Sequence, residues 1–87
     1  MDVANRLGEL RLGMGDVEAA AAVSRQLLRH ESCDEEAHRR LIRCYGAAGH
    51  RTMVVRQYRA YVECAERMYG VGPAPETTRL YESLIAD

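Results

Sequence analysis

Arg6–Gly15, RLGELRLGMG, and Arg40–Gly49, RLIRCYGAAG, stand 34 residues apart in this 87-residue chain, and each segment ends on glycine. The same shift brings Leu7 onto Leu41, Arg25 onto Arg59 and Asp2 onto Glu36. It also sets Ala20 on Val54, Leu27 on Tyr61 and Leu28 on Val62. A fixed period of this size marks a helix-turn-helix unit that cannot bury its apolar face alone, so neighbours must stack. Two units fall one short of the roughly three that such stacks usually need. The chain is therefore expected to be a piece of a longer array, or an oligomer.

Local signals divide the units into helices. Val3, Leu7, Leu10 and Met14 recur at helical spacing from about Asp2 to Gly13, where Gly13-Met14-Gly15 stops the run. Asp16 is a good N-cap for a second helix ending near His30, in which Ala19 to Ala22 permit close approach. Ser32-Cys33-Asp34-Glu35 reads as a capping box opening a third helix, which carries Ala37, Leu41, Ile42 and Tyr45 inward. That helix ends at Ala48-Gly49, and a fourth runs from about Arg51 to Tyr69. Gly70 to Pro75 is the only linker, and Pro75 suits the first turn of a last helix. Thirty-four residues is the tetratricopeptide period, so the fold class expected is all-α, with two tetratricopeptide-like antiparallel hairpins and a capping helix. As one domain over 1–87, repeat 1 covers about 1–34, repeat 2 about 35–69, the linker 70–75 and the cap 76–86.

Composition agrees and excludes other classes. Apolar residues make up 47% and charged residues 29%, with no Phe, no Trp and only two Pro, which favours helix. A chain this short buries only roughly 60–65% of its unfolded surface, leaving little room for a deep catalytic cleft. Twelve basic residues, all arginine, against thirteen acidic ones give a net charge of −1, which argues against free-standing nucleic-acid binding. No apolar run approaches the roughly 18 residues of a membrane span, and no signal peptide is recognisable at the start. Three cysteines without a CxxC spacing suggest neither a disulfide framework nor a zinc knuckle. The expectation is a reduced, cytoplasmic domain.

The order of segments resembles a known family. Glu35-Glu36-Ala37-His38-Arg39, the Ala48-Gly49 turn and Arg56-Gln57-Tyr58 precede a GVGPAPET linker at 70–77 and then Leu80-Tyr81-Glu82-Ser83-Leu84. This is similar to the bacterial transcriptional activator domain, the helical module of regulators of the antibiotic-regulatory-protein type. Linker and final helix are the most specific part, and the likeness spans about residues 3–86. Two departures stand out: Ala74 where the family often has Ser, and Ser32-Cys33 in the Pro and Leu slots of the turn. The resemblance covers only the C-terminal part of the family's module. It implies transcription regulation through protein contacts, with DNA recognition belonging to a winged-helix domain outside this sequence.

Candidate sites follow. In a tetratricopeptide groove the facing positions are Asp2, Asn5, Glu9 and Leu12, then Glu36, Arg39, Arg43 and Gly46. Arg39 and Arg43, one turn apart, suit a grip on a partner's carboxylate, with Asn5 beside them. Between Ala37 and Val62 lie six arginines and no acid: Arg39, Arg40, Arg43, Arg51, Arg56 and Arg59. As a basic patch they fit phosphates or an acidic partner, and as a solvated face they need no partner. His30, Cys33 and His38 have a loose ligand spacing without a fourth group, and no metal or cofactor is expected. No nucleophile or phosphate-loop motif occurs, so no catalytic residue is assigned. The partner expected is a protein or a neighbouring domain of the same regulator. A second copy covering Val3, Leu7 and Leu10 gives a homodimer. No specific DNA binding by these residues alone, and no membrane contact, is expected.

Overall fold

Five helices and no strand make up residues 2–86, which the computed structural model describes, Asp2 by its backbone alone. They are α1 (Asp2–Gly13), α2 (Val17–His30), α3 (Glu35–Ala47), α4 (Arg51–Tyr69) and α5 (Pro75–Ile85). Connections of a few residues force each helix back along its predecessor, so α1 to α4 stack in chain order. The fold is all-α and tetratricopeptide-like. Two of the turns depend on glycine: Gly15 and Gly49 adopt φ of 80° and 75°, a left-handed conformation that side chains resist. Asp16 caps α2 by accepting from the Ala19 amide at 3.1 Å.

The start of α3 differs from the expected capping box. Asp34, not Ser32, is the cap, its Oδ1 accepting from the Ala37 amide at 3.1 Å. Glu35 is thereby released to reach α5. It lies at the N-terminus of α5, where Ala74 has no side-chain acceptor to offer. Glu35 Oε2 accepts the Ala74 amide at 2.8 Å and the Thr77 hydroxyl at 2.7 Å, replacing the missing cap from across the fold. Its Oε1 accepts the Tyr61 hydroxyl of α4 at 2.7 Å. Tyr58 and Tyr81 stack with ring centres 3.9 Å apart, completing the seat of α5.

The cysteines also correct an expectation. Cys33, in the turn after α2, and Cys64, on α4, form a disulfide with Cα atoms 5.7 Å apart. Only Cys44 is free, and it is buried. A separation of 31 residues conceals the pairing, because it depends on the α2–α3 turn lying against α4.

The apolar core is narrow, with Ala20, Ala21, Leu41 and Cys44 at its centre. Beside it Arg40 is completely buried, and Gly8 on α1 makes the space for it. A Cβ at Gly8 would lie 2.3 Å from Arg40 Nε, and one at Gly46 would lie 2.8 Å from a Leu84 methyl. Leu84 is on the periphery and can yield, whereas Arg40 is pinned. Gly8→Ala is therefore expected to destabilise the domain by roughly 1–3 kcal/mol despite alanine's better helix propensity. Gly46→Ala is expected to stay within about 1 kcal/mol of the parent. Thermal unfolding of both variants checks the contrast.

Candidate functional site

Of the groove positions read from the sequence, Arg39, Arg43 and Gly46 are occupied from within, while Asn5, Glu9 and Glu36 line, with Arg6, an open cleft of about 400 Å³. Arg39 donates to the Thr77 hydroxyl at 3.0 Å and lies 3.6 Å from the Glu76 carboxylate. Gly46 faces Leu84. Thus α5 covers the α3 face that was expected to line an open groove. Arg43 is directed at Glu9 of α1, its two terminal nitrogens donating to both carboxylate oxygens at 3.3 and 3.2 Å. Arg39 and Arg43 therefore grip different carboxyl and hydroxyl groups of this chain. The side chain of Asp2 lies outside the described residues.

Arg40 does not belong to an exposed basic patch. Its Nε donates to Ser24 Oγ at 2.8 Å, and its Nη2 to Asn5 Oδ1 at 2.8 Å. Nη1 donates to the Asn5 carbonyl at 3.2 Å and to Glu9 Oε2 at 3.1 Å. Asn5, mostly buried, donates its side-chain amide to Asp34 Oδ2 at 3.2 Å. The run of arginines is acid-free in sequence only, since Glu9 and Glu76 approach it from α1 and α5. Arg51 donates to the Ile85 carbonyl. Arg56 and Arg59 remain exposed on α4.

His38 and Cys33 are likewise engaged. The Ser32 carbonyl accepts from His38 Nε2 at 2.8 Å, which leaves Nδ1 to accept from the Gln57 amide at 2.8 Å. The neutral ring is thus fully satisfied beside Tyr61. With Cys33 in the disulfide, His30, Cys33 and His38 do not converge as ligands.

An open apolar surface lies on α1 and α2. Val3, Leu7 and Leu10 are 80%, 41% and 60% exposed along one side of α1, and Met14 in the turn after it is 65% exposed. Between the helices runs a groove of about 370 Å³ lined by Ala4, Leu7, Ala22, Val23, Gln26, Leu27 and His30. The counterparts of Val3, Leu7 and Leu10 34 residues later behave otherwise: Ala37, Leu41 and Cys44 are 0%, 1% and 2% exposed, because α2 packs on them, whereas Ala48, the counterpart of Met14, is exposed. Arg6 is exposed with no ion pair among the described residues, while its counterpart Arg40 is fully enclosed. No helix among the described residues is long and apolar enough to cross a membrane.

Sequence reasoning located the α1 stripe through its spacing. It missed the Glu35 node, whose partners lie 26 to 42 residues away. Burial raises the Glu35 carboxyl, but the Thr77, Ala74 and Tyr61 hydrogen bonds and the Arg39 charge outweigh it, and the net shift is downward. Tyr61 is pushed up to about 12 by burial and by Glu35. Burial also lowers His38, against the Ser32 carbonyl and the Asp34 and Glu35 charges. A lowered histidine means that the unfolded chain binds the proton more readily. Stability is therefore expected to hold above pH ~6.5 and to fall as pH drops below that value. Calorimetry between about pH 5 and 8 should show this slope, flattened in His38→Gln.

With the geometry in place, comparison with known proteins identifies the family. The family model of the bacterial transcriptional activator domain matches residues 1–85. The chain belongs to that family, whose members are domains of transcriptional regulators. No curated protein and no solved structure shows a significant match.

Proposed function

We propose that this bacterial transcriptional activator domain is a non-catalytic contact module, making protein–protein or interdomain contacts within a cytoplasmic transcriptional regulator. The contact face is the open side of α1 with the adjoining α1–α2 groove. The observation that carries this reading is the contrast between equivalent positions. Leu41 and Arg40 are enclosed by α1 and α2, whereas Leu7 and Arg6 stand exposed. A contiguous apolar stripe on so small a domain marks an interaction surface more often than bare solvent exposure. A protein surface that covers Leu7 and Leu10 and offers an acceptor to Arg6 would reproduce the surroundings of Leu41 and Arg40.

The alternative is a stand-alone tetratricopeptide adaptor holding a peptide tail between Arg39 and Arg43. It is less well supported, since α5 and Glu9 occupy those arginines. Sequence-specific DNA recognition is assigned to another part of the regulator, and Arg56 and Arg59 add only weak attraction for phosphate.

In the absence of its other domains, the chain is expected to cover the face with a second copy. Light scattering should give a dimer at high micromolar concentration, and Leu7→Glu should return a monomer with unchanged helicity. A strict monomer in the parent protein contradicts self-association. A dimer that survives Leu7→Glu contradicts the assigned face.

A further inference from the structure

The Cys33–Cys64 disulfide ties the turn after α2 to α4. Cys33 is half-buried in the turn Glu31–Asp34, and Cys64 is buried on α4. A cleft of about 240 Å³, lined by His30, Glu31, Ser32, Cys33, Met68 and Tyr69, gives solvent access to the Cys33 side of the bond. The Ser32 hydroxyl stands 3.7 Å from Cys64 Sγ.

We infer that Cys33 and Cys64 are a reversible redox pair whose co-reactants are a low-molecular-weight thiol and its disulfide. A small thiolate entering the cleft attacks the accessible Cys33 sulfur, forms a mixed disulfide and expels Cys64 as thiolate. The Ser32 hydroxyl is placed to donate to that departing sulfur. A second small thiolate attacks the external sulfur of the mixed disulfide and releases Cys33. Two protons from the two small thiols end on Cys33 and Cys64, and the small thiols leave joined as their disulfide. Oxidation is the same sequence reversed.

Two structural features make the pair a switch. The α3–α4 contact does not rest on the bond alone, because Tyr61–Glu35 also joins the two helices. The reduced chain therefore remains folded. The turn that the bond restrains carries the Ser32 carbonyl, which holds His38, and Asp34, which caps α3 and holds Asn5. Asn5 in turn holds Arg40. Reduction thus loosens the turn and, through Asn5, the seating of α1. Cys44, buried in the core, takes no part and serves as an internal reference.

The test equilibrates the intact chain in buffers of varied reduced-to-oxidised glutathione ratio, quenches with acid, and alkylates the unfolded protein before mass measurement. The expected result is a step from one adduct, at Cys44, to three across the series, with both ends populated. One adduct throughout, or three throughout, overturns the proposal. Hydrogen exchange of the two forms is expected to be about tenfold faster after reduction in residues 31–38 and in α1, with α5 unchanged. Equal exchange in both forms overturns the switch. Cys33→Ser, a change in the solvent-facing turn, should reproduce the reduced pattern without reductant, and an oxidised-like pattern counts against the proposal. The alkylation count and the exchange of residues 31–38 do not depend on the partner, and the α1 exchange is compared at a concentration where both forms have the same oligomeric state.

Discussion

A guanidinium shut away from water must find its acceptors in the protein, and Arg40 finds them on two other helices. Ser24 of α2 and Asn5 and Glu9 of α1 supply four hydrogen bonds to a side chain rooted in α3. An arginine fork left with its acceptors absent costs several kcal/mol, so these three helices are committed to one mutual arrangement. Gly8 follows from the same requirement, since any side chain there would occupy the volume of the guanidinium. So does the near-complete burial of Asn5. In a core built largely of alanine and leucine, apolar packing alone is permissive about register, and the arginine supplies direction.

Glu35 performs a comparable task at the other end of the stack. One carboxylate joins the start of α3, the middle of α4 and the first turn of α5. Its position explains why Ala74 is tolerated where a serine cap would otherwise serve. The result is an asymmetric domain. The α3 face is closed by α5, and the α1 face has no such cover. The contact module proposed above follows from that asymmetry, because the side capped by α5 has little left to offer a partner.

The helices were legible in the sequence because Asp16, Gly15, Gly49 and Pro75 are local signals acting within a turn of themselves. The α1 stripe was legible for the same reason: its spacing is a property of one helix. What escaped detection depends on distance along the chain. Arg40 looked like part of a basic surface because Glu9, which pairs with it, lies 31 positions earlier. Ser32 and Glu35 satisfy the capping-box spacing, but Asp34 is the stronger acceptor at the actual helix start. Cys33 and Cys64 carry no spacing signal at all. Long-range polar pairing has no periodicity to reveal it in a single sequence.

The Arg40 fork, not merely its charge or bulk, fastens α1 and α2 to α3. Urea denaturation of Arg40→Lys tests it most directly, because lysine keeps the charge and the stem but cannot reach all four acceptors together. The unfolding free energy is expected to fall by roughly 2–4 kcal/mol. A lysine variant within about 0.5 kcal/mol of the parent would contradict it.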